Sequence, residues 1–207
     1  MTVYALKPRF QNLLRPSTAA LWRLGVTANQ VTVAAAVGSI AIAGATAWRA
    51  ETRTVFLIVP LWMLARMALN AIDGILAREF RQKSVLGGYL NEIGDVVSDA
   101  ALYAPFALVP PFGAASVGFI IAASITSELA GALGPMMGAS RRYDGPMGKS
   151  DRAAVFGALG IWIGLSARSP DWLAWAMPLL AVLIVITVVN RVRGGVSEAQ
   201  RSGVAAC

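Results

Sequence analysis

Six apolar runs, each close to the length needed to cross a bilayer, leave this 207-residue chain few ways to fold. A membrane-spanning helix needs about 20 mostly apolar residues. Such runs lie at roughly 27–48, 54–76, 86–109, 112–138, 152–168 and 171–190. Charge or proline separates them: Arg49 to Arg53, Glu79 to Lys83, Pro110-Pro111, Arg141 to Lys149, and Ser169-Pro170. These are the residue types that end helices. Backbone groups in hydrocarbon must be satisfied within the segment, so the runs are expected to be helices. Charged residues make up 14% of the chain and hydrophobic ones 57%. Soluble domains carry about 25% charged residues. The expectation is an all-α integral membrane protein: one domain over 1–207, six transmembrane helices, and a juxtamembrane segment over 1–25.

Basic residues sort by side. Fourteen of the eighteen lysines and arginines flank the spans on the side of both termini and of the loops after spans two and four. Arg49, Arg53 and Arg168 lie on the other side, and Arg66 falls within span two. The positive-inside rule then places both termini in the cytoplasm, in the inner membrane. This sorting accounts for the net charge of +7 without nucleic-acid binding. Lys7, Arg9, Arg15 and Arg23 interrupt the first 25 residues, so no cleaved signal peptide is expected. That segment reads either as an amphipathic helix on the anionic leaflet or as a flank whose charges only set orientation. The absence of histidine excludes imidazole catalysis, and the lone Cys207 excludes a disulfide framework.

Acidic residues inside apolar runs are costly and mark function. The stretch reads Asn70-x-x-Asp73-Gly74-x-x-Ala77-Arg78, eight residues, then Gly87-x-x-x-Asn91-x-x-x-Asp95-x-x-x-Asp99. Positions three, four and seven apart share a helix face. Arg66, Asn70, Asp73 and Ala77 therefore form one stripe of span two. Gly87, Asn91, Asp95 and Asp99 form one of span three, with Glu92 beside it. A short loop makes these helices neighbours, and two such stripes form an oxygen-lined pocket suited to a hard cation such as Mg²⁺. Small residues at this spacing also serve plain helix packing, which accounts for Gly87 and Ala77 but not for the acids. Arg66 can meet a substrate phosphate, or pair with Asp99 or Glu128. Lys149 and Arg152, in a Gly- and Pro-bearing loop, are candidates for holding an anionic acceptor or a lipid phosphate. Arg141 and Arg142 read as ordinary positive-inside charges.

These residues resemble the signature of the CDP-alcohol phosphotransferases, integral-membrane enzymes of phospholipid synthesis: Asp-x-x-Asp-Gly-x-x-Ala-Arg, eight or nine residues, then Gly-x-x-x-Asp-x-x-x-Asp. The spacing matches over 70–95. Gly25-Val26-Thr27-Ala28-Asn29-Gln30-Val31-Thr32 is similar to the family's N-terminal Thr-Pro-Asn-x-x-Thr element, with Ala28 in place of proline. The resemblance implies transfer of a phosphatidyl group from CDP-diacylglycerol, or a similar CDP-alcohol, to an acceptor hydroxyl with release of CMP. It implies dependence on one or two Mg²⁺ or Mn²⁺ ions, and a homodimer among membrane lipids. By position it makes Asp95 the catalytic base and gives metal ligation to Asn70, Asp73, Asn91 and Asp95. Glu92 and Asp99, on the same sector of span three, are candidates to supplement that set. Gly74, Ala77, Arg78, Gly87, Asn29 and Thr32 fall to the CDP-alcohol, and Lys149, Arg152 and Arg66 to the acceptor or phosphate.

Asn70 and Asn91 depart from the pattern, since both positions are aspartate in the family. An amide oxygen can coordinate Mg²⁺ but brings no charge. Three readings follow: one metal instead of two, compensation by Glu92 and Asp99, or loss of activity in a relative that binds CDP-lipid or anionic lipid and regulates a partner. A small transporter is the rival from another class. It predicts acids at the bilayer centre and two similar halves, whereas these acids lie near one end of their spans.

Overall fold

A computed structural model describes residues 6–203; Cys207 lies outside them. Every regular element among the described residues is helical. The α-helices are α1 (Leu6–Arg23), α2 (Ala28–Trp48), α3 (Ile58–Glu79), α4 (Val85–Tyr103), α5 (Ala114–Ala132), α6 (Lys149–Leu165) and α7 (Ala176–Arg201). Short 3-10 turns precede α3 and α7 and follow α4 and α5. Among the described residues, four segments are long and apolar enough to cross a membrane: Ala28–Trp48, Arg53–Glu79, Ala114–Ala132 and Asp171–Arg201. Six such helices were expected. The two that fall short are α6, at 17 residues, and α4, which carries Glu92, Asp95 and Asp99 within its 19 residues. The helix α7 also runs eleven residues beyond position 190, where the last span was expected to end.

The chain divides into two compact units, one made of Met1–Gly44 and Leu61–Leu102, the other of Ala45–Pro60 and Tyr103–Cys207. In the first unit, local sequence chemistry explains the turn between α1 and α2. Gly25 adopts φ of +80°, which glycine tolerates without a Cβ penalty. Its N–H donates to the Trp22 carbonyl at 2.9 Å and that of Val26 donates to Leu21 at 3.0 Å, the Schellman pattern. Thr27 and Gln30 then form a capping box. The Thr27 N–H donates to Gln30 Oε1 at 2.9 Å, and the Gln30 N–H to Thr27 Oγ1 at 3.3 Å. The Ala28 N–H, still lacking an intrahelical partner, donates to Gln82 Oε1 at 2.7 Å. That bond ties the α3–α4 loop to the start of α2. Ala28, Val31, Ile72 and Leu76 are the buried centre of the unit, packed by Leu14, Leu21, Val26, Leu69, Ala77 and Phe80.

Farther along α2, the Trp62 indole of α3 lies over Gly38 and donates to Ser39 Oγ at 2.9 Å. A Cβ on Gly38 would fall 2.3 Å from two ring carbons. Gly38→Ala is therefore expected to destabilise the protein by about 1–3 kcal/mol through overpacking. Thermal unfolding in detergent followed by tryptophan fluorescence checks this, and an unchanged midpoint would show that Trp62 yields freely.

The second unit has an aromatic core. Tyr103 stacks on Phe156 at 3.8 Å between centroids, and Phe106 meets Phe56 and Phe156 edge-on. Gly160 and Gly164 on α6 let residues 56–60 approach closely; a Cβ on Gly164 would meet Leu57 at 2.5 Å. The Arg53 guanidinium caps the end of α6, with Nε donating to the Ser166 carbonyl at 2.8 Å and Nη2 to Ser169 Oγ at 3.0 Å. A cation there satisfies carbonyls that a helix end leaves without intrahelical donors.

Candidate functional site

The signature residues of the first unit lie on three helices that those residues hold together. Thr32 of α2 donates from Oγ1 to Asp73 Oδ2 of α3 at 2.8 Å. Asn70 of α3 donates from Nδ2 to Asp95 Oδ1 of α4 at 3.0 Å. Ser84 caps α4 by accepting the Gly87 N–H at 2.9 Å. Asn29 lies against Gly87, where a Cβ would fall 2.7 Å from Asn29 Oδ1. Gly74 likewise makes room for the Arg78 guanidinium one turn on, 2.9 Å from where a Cβ would sit. The helix period thus assembles Asn29, Thr32, Asn70, Asp73, Gly87 and Asp95 as neighbours in pairs. Ala77 instead packs on the apolar centre of the unit, the helix-packing role that small residues commonly play.

Arg66 is buried on the same face of α3. Its Nη2 donates to Asp95 Oδ1 and to the Asp95 carbonyl, both at 3.0 Å, and its Nη1 donates to Asp99 Oδ1. Of the partners open to it in the sequence, Asp99 is the one it takes, with Asp95 in addition. Glu128 is engaged elsewhere. Among the described residues, no three Asp, Glu, His or Cys side chains gather as a group able to hold a metal ion. The chemistry of the stripes explains this. Two of the four signature positions carry amides, and a guanidinium holds Asp95 together with Asp99.

A second constellation lies wholly in the other unit. Arg152 of α6 is fully buried and donates from Nη2 to Glu128 Oε1 of α5 at 2.8 Å. Arg191 of α7, also buried, reaches the same oxygen at 3.4 Å and donates to the Ser127 carbonyl at 2.5 Å. Two guanidiniums share one carboxylate, and Lys149 adds to the positive field at Glu128. Arg152 thus stands in an ion-pair cluster, and the sequence reading missed Arg191 as its companion. The signal was available: Asn190-Arg191 continues the period of the last apolar run, and the charge was assigned to a terminal flank because the helix was expected to stop there.

The loop from Gly138 to Gly148 is anchored on both sides. The Arg142 N–H donates to the Gly131 carbonyl at 3.1 Å and the Met147 N–H to Thr187 Oγ1 at 2.9 Å. The Arg142 guanidinium binds Asp144 at 2.8 Å and also pairs with Glu198. The contact with Arg142 holds the Asp144 carboxyl below the usual carboxylate range. Arg142 is therefore a structural clamp of this loop.

No protein-family model matches the chain. The inner membrane protein YnbA of Escherichia coli (strain K12) is 41% identical over 196 residues, covering 93% of this chain and 96% of YnbA. Solved structures of the phosphatidylinositol phosphate synthase of Mycobacterium tuberculosis share the fold. The structure in complex with manganese and citrate gives a TM-score of 0.75 at 20% identity, covering 93% of this chain and 91% of the synthase. The structure with CDP-DAG bound gives 0.74 at 20% identity, covering 93% and 96%. The apo form gives 0.69 at 21% identity, covering 93% and 99%. The chain shares its fold with the phosphatidylinositol phosphate synthase, and it belongs to the family of the inner membrane protein YnbA.

Proposed function

We propose that this protein is an inner-membrane transferase. It moves a substituted phosphate from a CDP-alcohol such as CDP-diacylglycerol to an acceptor hydroxyl and releases CMP. One observation carries the reading: residues of the long signature bond to each other and to Thr32 across α2, α3 and α4. The shared fold with a synthase solved with CDP-DAG bound supports it. The name of the YnbA relative supports the location. Both termini face the cytoplasm in this reading, with α4 and α6 completing six crossings. The exposed face of α4 is apolar at Leu86, Ile93 and Val97, which suits lipid contact despite the acids opposite.

The exposed Arg78, with Asn29 and Gly87, receives the cytidine diphosphate portion. The acceptor oxygen attacks the phosphorus bearing the lipid alcohol. The bond from that phosphorus to the bridging oxygen breaks, and CMP departs with the oxygen. The hydroxyl proton passes to the Asp95 carboxylate. In this reading one divalent cation would be held by Asp73, oriented by Thr32, with the amide oxygens of Asn70 and Asn91. One carboxylate completed by substrate phosphates is an ordinary set for Mg²⁺ or Mn²⁺. Such an ion, when bound, neutralises diphosphate charge.

The test uses purified protein in lipid nanodiscs with CDP-diacylglycerol. CMP release is followed across glycerol phosphate, inositol phosphate, serine and a lipid alcohol, with and without Mg²⁺. Release that requires an acceptor is expected. Tight CDP-diacylglycerol binding with no CMP from any acceptor would favour a non-catalytic lipid binder instead. Absence of binding would contradict both.

A further inference from the structure

At one end of the first unit, three cations make no hydrogen bond or ion pair among the described residues: Arg23, Arg81 and Lys83. Arg23 closes α1, the other two lie in the loop between α3 and α4, and all three are exposed. Arg15 of α1 shows the alternative, since Glu79 takes its guanidinium at 3.0 Å. That pair helps bring the end of α1 to the loop. The Trp22 and Phe80 rings lie 5.2 Å apart, and Gln82 accepts the Ala28 N–H at 2.7 Å. Arg81 is further distinguished by its backbone. Its φ is 56°, the one positive value at a non-glycine position among the described residues. Just past a helix end that conformation favours glycine, because a Cβ crowds the backbone. The Arg81 guanidinium forms no bond in the chain that offsets this strain. Apolar side chains are exposed at the same end: Leu24 is 80% exposed and Val85 82%, with Trp22, Leu86 and Tyr89 also open.

We infer that Arg23, Arg81 and Lys83 form a binding site for the headgroup of an anionic phospholipid, seated between the end of α1 and the loop that joins α3 to α4. Charge complementarity selects the headgroup, since Glu79, the acid at this end, is already paired with Arg15. The exposed apolar side chains select an amphiphile. A free anion gains nothing from Leu24 or Val85, whereas acyl chains cover them. Trp22 and Tyr89 are of the residue types that collect at the membrane–water boundary. The site gives a reason for arginine at a position whose backbone favours glycine. It does not depend on the transferase reading, because it uses none of the residues assigned to the reaction. A flank that only sets orientation acts through its charge during insertion and holds no particular lipid afterwards.

Native mass spectrometry of the purified protein in detergent, titrated with phosphatidylglycerol or phosphatidylcholine, tests this by counting retained lipid. Wild type is expected to retain phosphatidylglycerol in preference to phosphatidylcholine. Arg23→Gln, Arg81→Gln and Lys83→Gln should each weaken that retention about fivefold, and the triple variant about a hundredfold, the scale for cations at an anionic surface. Arg49→Gln removes an exposed cation of the other unit and should change nothing. Excess inorganic phosphate should not displace the lipid. Arg81→Gly separates binding from a role in the fold: it should unfold at or above the wild-type midpoint in a thermal scan and still lose the lipid. An Arg81→Gly protein that unfolds at a lower temperature would assign Arg81 to the fold instead. Equal retention of the two lipids, folded glutamine variants that bind as wild type, an equal loss in Arg49→Gln, or displacement by inorganic phosphate would overturn the inference.

Discussion

Asp73→Asn is expected to lower CMP release from CDP-diacylglycerol by roughly 10²–10³-fold, the scale seen when a preorganised charge-stabilising group is removed. The size follows from what surrounds it. The signature here keeps two of four carboxylates, and Arg66 already holds Asp95. In the proposed site Asp73, oriented by Thr32, is the carboxylate that faces a cation on the substrate diphosphate. Asparagine is nearly the same shape and can still accept the Thr32 hydroxyl, so α2 and α3 should stay docked. The variant should fold with an unchanged unfolding midpoint and fail in chemistry. The companion Thr32→Val removes only the bond that orients Asp73. It should lose about tenfold, at the low end for outer partners of a metal site. If Asp73→Asn releases CMP at the wild-type rate, the proposed site is misplaced.

Glu128→Gln carries the largest expected stability effect. Arg152 is fully buried and Arg191 nearly so, and both pair with this carboxylate. Removing its charge leaves two guanidiniums in a region of low polarity, a change that typically costs about 3–5 kcal/mol. Apolar replacement of the paired groups is less harmful than removal of one partner. Arg152→Met combined with Glu128→Met should therefore be more stable than Glu128→Gln alone. Unfolding midpoints in one detergent, compared across the three proteins, decide the matter. A Glu128→Gln protein as stable as wild type would show that solvent or lipid phosphate already compensates these arginines.

What could be read from the residues alone divides along a physical line. Periodic features were legible. The stripes Asn70–Asp73 and Gly87–Asn91–Asp95–Asp99 follow from helix geometry, which needs no knowledge of the fold, and the apolar runs announced helices. The approach of Thr32 to Asp73 was not legible from spacing, because it joins residues 41 positions apart; only the likeness of the segment at 25–32 to a known element pointed there. Arg66 had three candidate partners in the sequence, and packing chose Asp99 and Asp95. Arg191 was hidden by an error of length, since a charge at the end of an apolar run looks like a flank when the helix is taken to end one residue earlier. Gly38 gave no signal, because its reason is the Trp62 ring on another helix. The capping box at Thr27 and Gln30 was visible in principle, as a Thr followed three residues later by Gln before an apolar run.

The fate of the lipid-side phosphorus tests the central claim most directly. CDP-diacylglycerol carrying ³²P on the phosphorus attached to diacylglycerol is incubated with the protein, a divalent cation and the best acceptor from the panel. The products are then separated into lipid and water-soluble fractions. The account predicts that all transferred label stays with the new phospholipid and that the CMP formed is unlabelled. Label in the water-soluble fraction as CDP, or unchanged CDP-diacylglycerol under every acceptor tried, would contradict it.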